Sequence, residues 1–313
     1  MIDNFIPSDR FSRYYYNQIA QLNQAIHDID NNWEYANIIC DQLTMTKNVL
    51  QNMAAGKLTV DCENPVPLHE RKIEKYTTWI EVFRLAQYQY ERYDRNRTSF
   101  SEGLYSSLLA LAALHCNQNT IRKIAVLGCG PGRSVLDFAR AFPDAHVCGM
   151  DYSLLSLVLA DQILGTTNEP TMIPYRDVCA QIGTSATMVL PSFKLNNYSL
   201  ALCDLTSVFP FSADLIICSN TVNLLPDHEK AISSIAGMLP KNGTVVFADL
   251  IGWRLDRTKE QTVLKNDDSI IDCFDRHGIR IIDSFNGGPY IERETAENYT
   301  IYNEHFFVGK KVN

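Results

Sequence analysis

The 313-residue sequence lacks the features that mark several common classes of protein. No apolar run reaches the roughly 18 residues needed to cross a bilayer, so no transmembrane helix is expected. The amino terminus is polar and acidic, unlike a signal peptide. Basic stretches are missing as well, and a formal net charge of −8 disfavours a protein built to hold a nucleic-acid backbone. We therefore expect a cytoplasmic protein with neither a membrane nor a nucleic-acid partner.

The cysteine pattern excludes two further classes of protein. Nine cysteines occur, an odd number, and no two of them form a C-x-x-C pair. Several lie in apolar strand-like patterns, such as Cys148, Cys203 and Cys218, where a thiol packs as a small hydrophobe. The pattern predicts a reduced intracellular protein with neither a disulfide framework nor a metal cluster.

The first 100 residues lack a strand–turn–helix rhythm, and helical periodicity dominates them. One stripe contains Ile19, Leu22, Ile26 and Ile29. We predict an N-terminal all-α segment over residues 1–100. This segment either supports the edge of the following domain or forms a lid over a substrate, and its aromatic-rich helices could form the face of a homodimer.

From residue 101 onward, apolar strands alternate with amphipathic helices, which predicts an α/β domain over residues 101–313. The expected fold is a Rossmann-like sheet of seven strands, with an insertion at 165–197. The predicted strands are 123–127, 146–150, 199–203, 214–218, 244–248, 279–284 and 300–309. The predicted helices are 101–116, 133–142, 153–164, 227–239 and 258–277.

A glycine-rich turn follows the first predicted strand at Gly128, Gly130 and Gly132, and the second strand ends at Asp151. Glycine lets the backbone approach a ligand closely, and an acid at this position can accept hydrogen bonds from ribose hydroxyls. The spacing is G-x-G-x-G, which differs from the G-x-G-x-x-G of dinucleotide sites. No G-x-x-x-x-G-K-[ST] phosphate loop occurs either. The pattern indicates a nucleoside site that does not depend on phosphate.

The turn GCGPG at 128–132 resembles motif I of the class I S-adenosyl-L-methionine (SAM) methyltransferases. The resemblance implies that SAM is the cofactor. It also implies cofactor contacts for residues at the strand ends and on the helix before the first strand. Asp151 would hold the ribose, Tyr152 would lie against the adenine, and Asp204 and the Leu205 amide would bind the adenine edge. The remaining cofactor contacts would come from Ser219, Asn220 and Tyr105.

A narrower resemblance appears in four stretches: SNTVNLLPD at 219–227, PSFKLNN at 191–197, DLIGW at 249–253 and PYIERET at 289–295. They are similar to stretches of the small-molecule N-methyltransferases related to the ovothiol-pathway methyltransferase domain and to carnosine methyltransferase. The resemblance extends from residue 121 to residue 310 and implies methylation of a small amine, amino acid or imidazole. The N-terminal helical segment departs from that pattern.

The candidate acceptor site contains amides and aromatic side chains. The methyl group of SAM is already activated, so a neutral nitrogen needs mainly to be positioned. We expect Asn220, Asn223 and Tyr175 to carry that role. Arg176 would bind a substrate carboxylate, and Trp253 and Tyr290 would form walls. His228 is read as a surface helix residue, so no histidine base is expected.

Two other functions remain open from the sequence. The same site could use SAM as an alkyl donor, either by closing its methionine moiety into an azetidine ring with release of methylthioadenosine or by transferring the aminocarboxypropyl group. Alternatively, the chain could be a non-enzymatic SAM-binding scaffold, although the intact Gly128, Gly130, Gly132, Asp151 and Asp204 argue against that reading.

Overall fold

The computed structural model describes residues 102–151, 154–165, 171–176, 185–190, 195–206, 211–250, 264–293 and 299–312. It also describes three single helical positions, Asn23, His27 and Thr44. Almost all of the predicted N-terminal helical cap, residues 1–100, therefore lies outside the described residues.

Helices and strands alternate through the described part of the chain, as the sequence predicts. The helices are α1 (Glu102–His115), α2 (Arg133–Ala141), α3 (Leu154–Leu164), α4 (His228–Met238) and α5 (Asp267–Arg276), with a short 3-10 turn at Val222–Leu224. The strands are β1 (Lys123–Leu127), β2 (His146–Asp151), β3 (Thr171–Arg176), β4 (Ser185–Leu190), β5 (Tyr198–Leu202), β6 (Leu215–Ser219), β7 (Thr244–Asp249), β8 (Ile279–Arg293) and β9 (Tyr299–Lys311).

Seven of these strands form one sheet in the order β5-β2-β1-β6-β7-β9-β8. The first five strands in this order pair in parallel, and β9 runs antiparallel between β7 and β8. The chain proceeds outward from β1 through β2 to β5, then returns to β6 and proceeds in the other direction. The strand order thus reverses between β1 and β6, and ligands of open α/β sheets bind at such a point, beyond the carboxyl ends of the strands. The predicted seven-stranded Rossmann-like fold is confirmed.

Helix α2 packs closely on the sheet because β2 contains a glycine where the two meet. Val135, Leu136 and Phe138 form its buried face. A Cβ placed on Gly149 would lie 2.6 Å from Val135 Cγ2 and 2.9 Å from Leu200 Cδ2. This close approach fixes the start of α2, and with it the glycine turn, over the end of β1.

The predicted insertion contains an antiparallel hairpin, β3–β4, which forms a separate two-stranded sheet. The structure differs from the predicted elements in two places. Helix α5 begins at Asp267 because Asn266 caps it, so the predicted start at 258 was wrong at least over 264–266. Strand β8 continues to Arg293, well past the predicted end at 284, because it pairs along nearly all of β9.

The predictions about disulfides and transmembrane helices can be compared with the described residues. Six cysteines among these residues are free thiols, and five of the six are buried. No helix in the described segments is long and apolar enough to span a bilayer.

Candidate active site

The glycine turn between β1 and α2 has a backbone that favours glycine. Gly128, Gly130 and Gly132 have φ values of 63°, 52° and 90°, all in the left-handed region that residues with a Cβ disfavour. The Cys129 amide donates to the Met150 carbonyl at 3.0 Å, which fastens the turn to the end of β2.

Gly128 is also required by a neighbour on the segment after β6. A Cβ at Gly128 would lie 2.0 Å from Thr221 Oγ1 and 2.7 Å from Thr221 Cγ2. Thr221 is buried, and its hydroxyl donates to the Ser219 carbonyl at 2.8 Å. The glycine turn and the post-β6 segment therefore touch directly, which places the two predicted parts of the site side by side.

Asp151 lies at the carboxyl end of β2, next to the turn. Its Oδ2 accepts a hydrogen bond from the Gly130 amide at 2.8 Å, and the residue is 8% exposed. Its carbonyl accepts from the Cys203 amide, which ties it to the residue following β5. Its carboxylate thus stands at the strand edge where a ribose would be bound. That contact remains a prediction.

Asp204 follows β5 and is also buried. Its Oδ1 accepts from both the amide and the hydroxyl of Thr206, each at 2.8 Å. This side-chain turn holds the Asp204 carboxylate and the buried Leu205 next to the end of β2, because Cys203 bonds directly to Asp151. The predicted adenine-binding pair therefore lies beside the predicted ribose acid.

Tyr105, in the first half of α1, is buried against the start of α2. The guanidinium carbon of Arg133 lies 5.1 Å from the centre of the Tyr105 ring, a cation–π distance. Arg133 follows Gly132 directly, is 5% exposed, and pairs with Asp137 at 2.7 Å. The structure thus places Tyr105 beside the glycine turn, in contact with an arginine that the sequence reasoning did not select.

The segment after β6 is held by the end of β7. Asn220 has a φ of 48°, and its amide donates to the Ala248 carbonyl at 2.9 Å. Asn223 donates its amide to Asp249 Oδ2 at 3.1 Å and its side-chain nitrogen to Leu250 O at 3.5 Å. The side-chain oxygens of both asparagines are buried without a hydrogen-bond partner.

Two buried carboxyl groups adjoin these asparagines, and the sequence reasoning gave neither a role. Asp249 ends β7 and is 4% exposed; Glu304, on β9, is 1% exposed. Asp249 Oδ1 accepts from the Leu250 amide at 2.9 Å, so both of its oxygens bind backbone donors. Glu304 is hydrogen-bonded by the Asn220 side chain, yet its Oε1 has no partner.

Burial changes the ionisation of both acids. It raises the pKa of Asp249 to about 7, although several backbone amides oppose the shift by stabilising the carboxylate. It raises the pKa of Glu304 to about 8, with the nearby charge of Asp249 adding to the shift and the Asn220 hydrogen bond opposing it. Asp249 has more donors, so it is the acid of the pair that ionises more readily.

The raised pKa of Glu304 predicts how stability depends on pH. In the unfolded chain this carboxyl ionises near its ordinary value of 4.5, whereas the folded protein keeps the proton up to about pH 8. The folded state binds more protons in this window, so the free energy of unfolding is expected to fall as pH rises through it. Each pKa unit corresponds to about 1.4 kcal/mol, so the shift from 4.5 to about 8 corresponds to roughly 5 kcal/mol for Glu304 alone.

Glu304→Gln removes this contribution, and the loss of stability between about pH 5 and pH 8.5 should shrink by a few kcal/mol. Urea unfolding of the variant and the wild-type protein at both pH values measures the difference. Equal pH dependence in the two proteins would contradict the assignment of the raised pKa.

His228 is not the surface residue that its helical position suggested. It is 3% exposed, because its Nδ1 accepts a hydrogen bond from the Leu264 amide at 3.1 Å. Burial lowers its pKa, and Asp227 partly opposes the change. With Asn223 and Asp249 it lines a small, largely apolar cavity behind the site. We interpret it as a structural histidine that joins the start of α4 to the segment before α5.

The other predicted substrate-binding residues are described only in part. Tyr152 and Trp253 lie outside the described residues. Tyr175 and Arg176 end strand β3, and Tyr290 pairs with Tyr302 on β8–β9; of these three only the backbone is described. Their roles as walls and as a carboxylate ligand stay predictions.

Within the described segments, one group of side chains has the spacing of a metal site. It consists of Glu229, Cys273 and His277, whose ligand atoms lie within 4.8 Å of one another. Arg276 already pairs with Glu229 at 3.2 Å, and its cation would compete with a metal.

Residues 125–247 match the family model described as a methyltransferase domain, over less than half of the chain. The match begins in β1, includes the glycine turn, Asp151 and Asp204, and ends in β7. These residues are therefore similar to a methyltransferase domain, and the strand order and the glycine turn both agree with the match. A SAM cofactor is consistent with that similarity. No curated protein is significantly similar to the sequence.

Solved structures with a similar fold include two methyltransferases. The N-methyltransferase NodS from Bradyrhizobium japonicum WM9 is 14% identical, with coverage of 74% of this chain and 98% of that one and a TM-score of 0.49. The magnesium protoporphyrin IX methyltransferase ChlM from Synechocystis PCC 6803 is 14% identical, with coverage of 74% and 94% and a TM-score of 0.47. These sequence identities and TM-scores are too low to support any conclusion beyond the fold that the strand order shows.

The described residues fit the cofactor. SAM carries no phosphate, and the glycine turn presents backbone rather than a lysine-bearing phosphate loop. The Asp151 carboxylate, anchored by Gly130, supplies an acceptor for ribose hydroxyls. The left-handed glycines leave no Cβ over the turn, so a ligand can approach the backbone closely.

Proposed function

We propose that this protein transfers the methyl group of SAM to a nitrogen of a small metabolite: an amine, an amino acid or an imidazole. One observation carries the proposal. The contact between Gly128 and Thr221 brings the glycine turn directly against a segment whose two asparagines have buried side-chain oxygens without a hydrogen-bond partner. Unsatisfied acceptors beside a methyl donor suit an acceptor that carries N–H groups.

The charge of the protein supports a small acceptor. The formal net charge of −8 is unfavourable for binding the phosphate backbone of a nucleic acid. Arg176 at the end of the β3–β4 hairpin is the proposed ligand for an acceptor carboxylate, and Trp253, Tyr175 and Tyr290 are the proposed walls. The N-terminal segment would close this side as a lid or serve as a dimer face.

Positioning is the main contribution that the proposed site makes. SAM supplies an activated methyl group when bound. Asn220 and Asn223 would hold the acceptor nitrogen in line with that group, and such preorganisation of two reactants contributes about 7–11 kcal/mol in favourable cases. The neighbouring acids Asp249 and Glu304, when ionised, disfavour a negative charge at the nitrogen end of the acceptor, because it would be repelled in a buried site.

Product analysis tests the function. The full-length protein is incubated with SAM alone and with a panel of amines, amino acids and imidazoles, and the nucleoside product is identified by mass spectrometry. We expect S-adenosylhomocysteine to form only when an acceptor from the panel is present. The acceptor itself should become about 14 mass units heavier, because a methyl group replaces a hydrogen.

Three results would overturn the proposal in different ways. Methylthioadenosine formed from SAM alone indicates ring closure to azetidine-2-carboxylate, and methylthioadenosine formed together with a heavier amine indicates aminocarboxypropyl transfer. SAM left unchanged throughout, although calorimetry detects its binding, favours a non-enzymatic scaffold.

A further inference from the structure

Glu304 is the strongest unexplained feature of the described residues. Its carboxyl group is almost fully buried, it belongs to the last strand of the sheet, and its Oε1 has no hydrogen-bond partner. Buried polar atoms without a partner are rare in folded proteins, and those that occur call for an explanation. A structural role does not provide one, because no partner for this oxygen is found among the described residues.

The strand pairing places Glu304 at the ligand-binding edge of the sheet. Strand β9 runs antiparallel to β7, with His305 opposite Asp249, the last residue of β7. Glu304 therefore lies level with the first residue beyond the carboxyl end of β7. Asn220, which binds it, is likewise the first residue beyond β6, and the next residue touches Gly128 of the cofactor turn.

The unsatisfied atoms around this point are all acceptors. Asn220 uses its amide nitrogen on Glu304, which leaves its Oδ1 buried and unpaired, and Glu304 contributes Oε1. Asp249 adds negative charge nearby, but both of its oxygens are already occupied by backbone amides. A group that satisfies this arrangement has to supply N–H donors, and a cationic one would also offset the charge of the two acids.

We propose that Glu304 and Asn220 form the subsite for the N–H group of the acceptor, with Glu304 as the base that receives its proton. This inference rests on the proposed function and deepens it, since it requires an N–H in the reacting group: on the attacking nitrogen of an amine, or on the second ring nitrogen of an imidazole. The nitrogen lone pair forms the new N–C bond while the C–S bond breaks and leaves its electron pair on sulfur. The N–H hydrogen of the same functional group passes as a proton to Glu304, which has to be in its carboxylate form. Burial raises the pKa of Glu304 to about 8, so kcat is expected to rise with pH as this carboxyl ionises.

Binding of simple probes tests the subsite without any turnover. The full-length protein is saturated with S-adenosylhomocysteine and titrated in a calorimeter with imidazole, with ethylamine, and with N-methylimidazole, which lacks an N–H. We expect imidazole or ethylamine to bind. If imidazole is the preferred ligand, N-methylimidazole should bind at least about tenfold more weakly, because losing a hydrogen bond to a charged group lowers affinity by roughly that factor.

Three variants define the contribution of each side chain. Glu304→Gln keeps the shape but cannot take a proton, and Asn220→Gly removes the amide while tolerating the positive φ. Each is expected to weaken probe binding by roughly tenfold to a hundredfold. Glu229→Gln, the same chemical change at an acid paired with Arg276, is the matched control and should bind the probes like the wild-type protein.

Turnover provides the second readout. With the acceptor that the product assay identifies, Glu304→Gln is expected to lower kcat by about 100-fold or more, the usual effect of losing a general base. Affinity for S-adenosylhomocysteine should stay within about threefold of wild type, a change of under 1 kcal/mol, which also verifies that the variant is folded.

The outcomes separate this inference from the proposed function. Methyl transfer with an unchanged kcat in Glu304→Gln supports the function and overturns the subsite. Probe binding that depends on Glu304 without any methylated product supports the subsite and overturns the function. Weak binding of S-adenosylhomocysteine by the folded variant would assign Glu304 to the cofactor's own amino group and overturn the acceptor role, as would no probe binding to the wild-type protein.

Discussion

Replacing Asp151 with alanine is expected to weaken binding of S-adenosylhomocysteine by about 100-fold or more. The carboxylate is the proposed acceptor for two ribose hydroxyls, and hydrogen bonds to a charged group contribute about 1.5–3 kcal/mol each. Each 1.4 kcal/mol corresponds to a factor of about ten in affinity. The substitution also releases the Gly130 amide, whose hydrogen bond to Oδ2 holds the turn. Isothermal titration calorimetry measures the change.

Two further variants make that experiment specific. Asp151→Asn keeps an acceptor for the Gly130 amide but loses the charge, so an intermediate loss of affinity is expected. Asp144→Ala removes an exposed acid near the amino end of the same strand and should leave the affinity unchanged. An affinity of Asp151→Ala equal to that of the wild-type protein would remove the ribose assignment.

Replacing Gly128 with alanine is expected to lower the free energy of unfolding by about 3 kcal/mol and to weaken cofactor binding. The added Cβ would lie 2.0 Å from Thr221 Oγ1, and that hydroxyl cannot turn away without losing its bond to the Ser219 carbonyl. Overpacking of this kind costs roughly 1–3 kcal/mol, and the left-handed φ of 63° adds about 1–2 kcal/mol for any residue with a Cβ. Urea unfolding monitored by circular dichroism gives the value.

Helix α4 offers a matched control for this substitution. Gly237 is exposed, and a Cβ there would have no neighbour within 4 Å. Gly237→Ala should therefore leave stability unchanged or raise it by up to about 1 kcal/mol, since alanine favours a helix over glycine. Adding Thr221→Ala to Gly128→Ala should recover part of the lost stability. Strictly additive effects of the two substitutions would show that the contact does not exist.

The sequence predicted the central sheet well because the pattern of apolar residues and the residues of the turns indicated the same strands and helices there. Apolar strands buried on both faces, such as β1 and β6, read as continuous apolar runs, and the GCGPG turn marked the crossover between β1 and α2. These signals placed Asp151 and Asp204 correctly at neighbouring strand ends. The start of α5 was missed because the cap at Asn266 is a local signal within a longer helical pattern.

The two buried acids, Asp249 and Glu304, could not be assigned to the site from hydrophobic periodicity and turn residues. Glu304 lies in a strand whose position at the ligand-binding edge depends on pairing with β7, which lies far earlier in the sequence, and no local motif marks it. His228 was misread because its position in α4 does not reveal the segment at Leu264 that covers it. When segments distant in sequence bury a polar side chain, neither the local hydrophobic pattern nor a turn motif indicates that burial.

The central claim is that the carboxyl ends of β1, β2 and β6 form one cofactor site, and titration of the wild-type protein with S-adenosylhomocysteine tests it most directly. We expect one saturable site per chain, and prior addition of SAM should abolish the heat of binding. A titration without saturable heat, on protein shown to be folded by circular dichroism, would contradict the assignment of this edge of the sheet as a SAM site.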